Sequence, residues 1–213
     1  KFGEVNVVAS SEDRIYAYIP PFEKMKFSPE ADYVHICYNN TIYGTKYVKL
    51  PDTGNVPIVC DMSSCILSEP YNIEDYGIIF AGAQKNIGPA GVTIVIIRKD
   101  LMQRAVSELP TMLDFRTHAD NESLFNTPPT YAIYMSKLVF DWLDAMGGVP
   151  EMYRRNQEKA GLLYEFIDNS KLFKGNVDRE FRSLMNVTFS TGSKELDAKF
   201  VKEAEKNSLV NLP

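Results

Sequence analysis

"YGIIFAGAQKNIGPAGVTIVIIR", residues 76–98, decides the fold. Two apolar runs, 77–82 and 92–98, flank a glycine-rich link that carries a single lysine, Lys85. Both runs are apolar on successive residues, the pattern of central strands covered on two sides by helices, as in α/β folds. The link 83–91 is too short for a crossover helix, so the two strands, as neighbours, run antiparallel. Upstream, the β-rich runs 5–10, 14–20, 33–39 and 56–62 supply further strands. The run 14–20 ends in Pro20 and Pro21 and reads as an edge strand or hairpin. An α/β architecture follows, with a mixed, mostly parallel sheet flanked by helices.

The second half of the chain changes character. Residues 108–127 are polar and loop-like, and Pro128 and Pro129 then open a helix over 130–146 that is apolar nearly all round and is expected to be buried. Gly147 and Gly148 stop it. A second helix starts at Pro150, with Tyr153, Ala160, Leu163, Tyr164 and Ile167 on one stripe. Residues 184–190 alternate as a half-exposed strand, and Ser193 caps a last helix in which Leu196, Phe200 and Ala204 recur every fourth residue. A boundary near residues 147–150 divides the chain into 1–147 and 148–213, the second part being the start of a small α+β unit.

A chain of 213 residues, 45% hydrophobic and 24% charged, can bury at least one full core. The formal net charge of -5 provides no basic field for a nucleic-acid backbone or an anionic membrane. No apolar run approaches the roughly 20 residues of a membrane span, and residues 1–10 have no signal-peptide h-region. Cys37, Cys60 and Cys65 are odd in number and lie in or beside apolar runs, which suits reduced core thiols and a reducing, cytoplasmic compartment. His35 and His118 have the spacing of neither a metal site nor a triad; His35 reads as a structural strand residue and His118 as a solvated one, and no metal is expected.

Lys85 needs a reason for its place between two buried runs. A phosphate loop fails on order, because Lys85 precedes Gly88 and leads into a strand rather than a helix. Two readings remain. One is a surface turn lysine without a task. The other is a Schiff-base lysine, an amine kept reactive at a partly desolvated sheet rim, with Gly82, Ala83, Gly88, Ala90 and Gly91 leaving room for a flat ring. A pyridoxal phosphate site also needs a carboxylate to keep the pyridine nitrogen protonated. Asp61 ends an apolar strand 24 residues before Lys85, so both side chains can emerge on one rim; its alternative is a turn residue or helix cap.

"DMSSCILSEPYNIEDYGIIFAGAQKNIGPAGVTIVIIRKDL" (61–101), "YNNTIYGT" (38–45), "SLFNTPPTYAIYMSKLVFDWL" (123–143), "GGVPEMYRRNQEKAGLLYEFID" (147–168) and "RSLMNVTF" (182–189) together resemble the phosphoserine aminotransferases, fold-type I pyridoxal phosphate enzymes of the class V group. The resemblance runs through essentially the whole chain. It implies transfer of an amino group from L-glutamate to 3-phosphohydroxypyruvate, a step of serine biosynthesis, with the related step of pyridoxine biosynthesis beside it. It implies that Lys85 holds the cofactor and shuttles a proton, that Asp61 pairs with the ring nitrogen, that Thr41 contacts the cofactor and that Gln84 lies near its phosphate. Asn126 and Thr127 match the pair that reaches the phosphate of the other subunit's cofactor, which implies a homodimer. A helix N-terminus behind "NTPP" favours an anion in that place, although plain N-capping is the alternative.

Relatives of that family are longer at both ends, where a phosphate-cradling loop, a ring-stacking aromatic, a substrate-binding arginine and a His-Arg segment reside. The chain therefore reads as a fragment: the C-terminal part of a cofactor-binding large domain and the beginning of a small one, inactive by itself. Two other functions stay open: a class V aminotransferase for a different small keto acid, and a non-catalytic scaffold.

Overall fold

The computed structural model describes residues 3–104 and 108–212. A four-stranded sheet forms its centre: β1 (Val34–Cys37), β2 (Ile58–Asp61), β3 (Ile78–Gly82) and β4 (Thr93–Ile97), hydrogen-bonded in that order. The pairs β1/β2 and β2/β3 are parallel, and β3/β4 is antiparallel. The short link dictates that last pairing, as the sequence predicts, but it is not a simple bend. Residues Ala83–Asn86 wind into one helical turn, α1, before the chain reverses.

The register puts Ile36, Cys60, Ile79 and Ile96 across one face, and Cys37, Asp61, Phe80 and Val95 across the other. The first face is closed over β1 to β3, while Ile96 at the β4 edge stays 38% exposed. Ile36, Ile58, Cys60, Ile79 and Ala81 are buried there with Met62, Cys65, Ile66, Tyr76 and Ile87. The second face is open: Cys37, His35 and Val95 are exposed, and the His35 ring lies on the Phe80 ring, with centroids 6.2 Å apart. The apolar runs therefore overstate their cover within this chain, since only one of two apolar faces is packed.

The region N-terminal to β1 corrects the reading of two strands. Residues 5–10 and 14–20 form no strand; Val5 and Val7 stand 91% and 73% exposed, and Glu12–Arg14 is a 3-10 turn followed by left-handed backbone at Ile15 and Tyr16. β propensity alone did not decide the matter, because no neighbouring strand edge receives these residues. They are tied elsewhere, by the forked Arg14–Asp178 pair at 2.7 and 3.0 Å and by Asp178 N donating to Ala17 O.

After β4 come α2 (Lys99–Met102) and α3 (Phe115–Asp120), the latter capped by the Asp114 carboxylate, so the polar stretch holds more helix than expected. His118 is half-buried and its Nε2 lies 3.0 Å from Met112 O. α4 (Thr130–Ala145) buries only Ala132, Ser136 and Leu143, while Tyr131, Tyr134 and Trp142 are more than half exposed. The expectation of an all-round buried helix is thus overturned. One narrow stripe of small residues meets the sheet layer, and Gly88 permits it: a Cβ there would stand 2.9 Å from Ser136 Oγ.

Gly147, with φ of +102°, joins α4 to α5 (Gly148–Asn169). The stripe of α5 buries Asn156, Ala160 and Ile167, and leaves Leu163 half exposed. Asn156 was hidden from a hydrophobic pattern because its burial depends on one hydrogen bond, Nδ2 to Ser68 O at 3.0 Å. Residues 184–190 pair only at their end, where β6 (Phe189–Ser190) meets β5 (Lys174–Gly175) antiparallel. α6 (Lys194–Lys206) is capped by Ser193, as its sequence signals. Phe173, Phe189 and Phe200 meet edge to face at 5.2 to 5.8 Å and form the small aromatic core of this region.

Candidate active site

The C-terminal ends of β2 and β3 lie side by side, and each delivers one candidate residue. Asp61 is the last residue of β2. Its Oδ1 accepts the Ser63 amide at 2.8 Å, so the carboxylate is oriented by its own chain two residues on. Lys85 projects from α1, directly after β3, and is exposed. Its Nζ donates to Thr41 Oγ1 at 3.0 Å, across 44 residues of sequence.

Thr41 belongs to the turn that follows β1. Asn40 shapes it: its Oδ1 accepts from Ile42 N and Tyr43 N, both at 3.1 Å, and its carbonyl accepts from Gly44 N at 2.9 Å. The three strands β1, β2 and β3 thus present Thr41, Asp61 and Lys85 from the same end of a parallel array, the usual place for a ligand in such sheets.

Cys37 reports how these charges converge. It stands opposite Asp61 in the β1/β2 register, on the open face. Its thiol is raised above the ordinary value first by burial and then by the Asp61 carboxylate, and it is lowered by Lys85. An anion and a cation therefore act on one sulfur in opposite senses. Cys37 is exposed where a core thiol was expected, while Cys60 and Cys65 are buried.

Ser63 is the residue that sequence reasoning missed. Its hydroxyl accepts the Gly82 amide at 3.1 Å, so one serine orients Asp61 by its N–H and anchors the N-terminus of α1 by its side chain. The signal existed in the Asp-x-Ser spacing after an apolar strand, the mark of an Asx turn. Asn86 completes the anchoring from the far side, donating to Ile66 O at 2.6 Å.

Gln84 is exposed and folds back over Gly82, where a Cβ would come within 2.7 Å of Gln84 Oε1. Asn126 and Thr127 lie in the loop before α4, exposed, with Asn126 Nδ2 donating to Thr127 O at 3.2 Å. The structure brings Thr41, Asp61, Gln84 and Lys85 to one rim; Asn126 and Thr127 make no hydrogen bond to that group among the described residues. No cluster of three or more metal-ligating side chains occurs among the described residues. No helix among them is long and apolar enough to cross a membrane.

Residues 4–207 match the aminotransferase class-V family. Phosphoserine aminotransferase of Bacillus cereus is 50% identical over 212 residues, which cover 100% of this chain and 59% of that protein. Among solved structures, phosphoserine aminotransferase from Bacillus circulans subsp. alkalophilus superposes with a TM-score of 0.95 at 44% identity, covering 99% of this chain and 58% of that one. Pyridoxal phosphate-bound phosphoserine aminotransferase from Trichomonas vaginalis gives 0.91 at 38% identity, covering 98% and 60%. The chain thus spans rather more than half the length of these relatives, and with the family match extending over nearly all of it, it belongs to the class-V aminotransferases.

Proposed function

We propose that the protein carrying this chain is a pyridoxal phosphate-dependent transaminase that moves the amino group of L-glutamate to 3-phosphohydroxypyruvate, giving 2-oxoglutarate and O-phospho-L-serine. The observation that carries this reading is the Lys85 amine, held 3.0 Å from the Thr41 hydroxyl on the rim where Asp61 ends β2. The donor set fits the cofactor: an exposed primary amine for an aldehyde carbon, a carboxylate on the neighbouring strand for a basic ring nitrogen, and a hydroxyl between them. The names of relatives at 50% identity support the choice of substrates.

When bound, pyridoxal phosphate supplies an electron sink that weakens the bond to hydrogen at the substrate Cα. The residues of the chain do the rest. Lys85 would hold the cofactor through its amine and would move the proton of the substrate Cα. Asp61, fixed by Ser63, keeps a proton on the ring nitrogen. Thr41 orients the Lys85 amine through their hydrogen bond, and Gln84 would help to hold the cofactor's phosphate. Asn126 and Thr127 serve the phosphate of a second protomer in a homodimer. Residues 1–147 belong to the cofactor-binding domain and 148–213 begin the smaller one. Three free cysteines agree with a cytoplasmic setting.

Incubating the full-length protein with L-glutamate and 3-phosphohydroxypyruvate tests the assignment, with 2-oxoglutarate as the readout. Borohydride treatment and peptide mapping should leave the reduced cofactor on Lys85. No turnover with this pair, together with a labelled Lys85, would move the substrate assignment to another small keto acid; an unlabelled Lys85 would remove the enzyme reading altogether.

A further inference from the structure

Thr41, which receives the Lys85 ammonium, sits at the tip of a hairpin whose arms are joined by Tyr47 N to Tyr38 O at 2.9 Å and Asn40 N to Thr45 O at 2.8 Å. Such a two-armed hairpin is marginal alone. What fixes its tip comes from the far end of the chain. Ser183 N donates to Gly44 O and Lys46 N to Phe181 O, both at 2.8 Å, and Thr188 Oγ1 donates to Tyr43 O at 2.8 Å.

Beneath the tip, the amide of Asn39 is fully buried and joins both regions. Its Nδ2 donates to Asn186 Oδ1 at 2.7 Å and to Ser64 Oγ at 2.8 Å, and its Oδ1 accepts from the Ser183 hydroxyl. Ser183 Oγ in turn accepts the amides of Met185 and Asn186. The approach depends on Gly44, whose φ is +80° and on which a Cβ would stand 2.7 Å from both Asn186 O and Thr188 Oγ1. None of these groups is hydrogen-bonded to the amine, yet together they tie the hairpin tip to residues 181–188.

We propose that Ser183, Asn186 and Thr188 are positioning residues for Lys85, clamping the turn that carries Thr41 and thereby fixing the amine from a segment that begins 142 residues (183 - 41) after Thr41. The importance of the clamp rests on the reading of Lys85 as the cofactor lysine. Its existence does not, because the clamp is built from hydrogen bonds among this chain's own residues.

Reductive methylation with formaldehyde and cyanoborohydride, followed by peptide mapping, reads the freedom of Lys85 in the cofactor-free full-length protein, with Lys49 as internal reference. Thr188→Val removes the donor at constant shape and is expected to raise the relative rate at Lys85 by about fivefold, the scale of one hydrogen bond. Thr188→Ser keeps the hydroxyl and restores the slow rate. Thr41→Val matches Thr188→Val, and the double variant is no faster than Thr41→Val alone, since both act through one contact. A merely structural role would speed Lys49 and Lys85 alike.

A wild-type rate at Lys85 in Thr188→Val, or strictly multiplying effects in the double variant, overturns the proposal. Should Thr188→Val fail to fold, Asn186→Ala removes the acceptor for Asn39 and carries the same expectations. Capture of pyridoxal phosphate by the wild-type protein is followed in parallel by absorbance. Coupling without capture removes the function and leaves the clamp; capture without coupling does the reverse.

Discussion

One sheet has two faces with similar composition and opposite fates. On the closed face, Ile36, Cys60, Ile79 and Ala81 pack against Ile66 and Ile87 and hold the fold together. On the open face, Cys37, Asp61, Phe80 and Val95 alternate with them residue for residue, yet that face stands near the rim where Lys85 and Thr41 meet. The difference teaches that apolar character along a strand reports what both faces are suited to, whereas burial is decided by what the rest of the chain lays on each.

The division of labour between the faces is broken first at the rim. Lys85→Ala in the full-length protein should lower transamination by at least ~10³-fold, the scale of losing a general acid–base group as well as the covalent tether. With both proteins cofactor-free, its stability to urea should stay within about 0.5 kcal/mol of the wild type, since Lys85 is exposed. A variant that unfolds, or one that keeps its rate, would each end the assignment of chemistry to the rim and stability to the core.

A pair of truncations measures the faces themselves. Ile79→Ala, at a site 2% exposed on the closed face, should cost about 2–5 kcal/mol by urea unfolding, from lost transfer energy and the cavity left behind. Val95→Ala, one residue away in the β3/β4 register and 37% exposed, should stay within about 0.5 kcal/mol. Equal losses would mean that in the full-length protein the open face is covered as tightly as the other.

Thiol chemistry sharpens the same contrast at lower cost to the structure. Burial pushes the Cys65 thiol up to about 12 and raises Cys60 as well, so neither forms thiolate near neutral pH. Cys37 is also raised, chiefly by burial, but its sulfur is on the exposed side and near Lys85. Iodoacetamide at about pH 8 should label Cys37 first and leave Cys60 and Cys65 until the protein unfolds. Mapping all three at equal rates would contradict the closed face.

Much of this was legible in the sequence because its causes are local. The strands over 56–62, 77–82 and 92–98, the antiparallel pairing across a short link, and the cap at Ser193 each follow from a few neighbouring residues. So did the placing of Asp61 and Lys85 on one rim. The failures share the opposite cause. Residues 5–10 and 14–20 have strand composition but no partner edge, and the helix over 130–146 is apolar with nothing upon most of it. Asn39, Asn156 and Ser183 are polar residues buried by partners 25 to 147 positions away, as the Asn39 bonds illustrate, and no periodicity announces them. Ser63 lay within reach, two residues from Asp61, and needed only the question of which amide orients the carboxylate.

The smallest effect belongs to charge outside the sheet. Arg182 grips Asp168 through two bonds of 2.6 and 2.9 Å, with its guanidinium over the Tyr164 ring at 4.5 Å. Those bonds hold the Asp168 carboxyl below its usual range. A carboxyl depressed in the folded state contributes stability that is present above the unfolded value, near ~3.9, and is lost as pH falls through the folded one. Asp168→Asn should therefore be less stable than the wild type by under about 1 kcal/mol between neutral pH and about pH 5, and the gap should close progressively below about pH 4. A gap that persists at low pH would show that the pair acts by packing Arg182 on Tyr164, and that even at the surface shape outweighs charge.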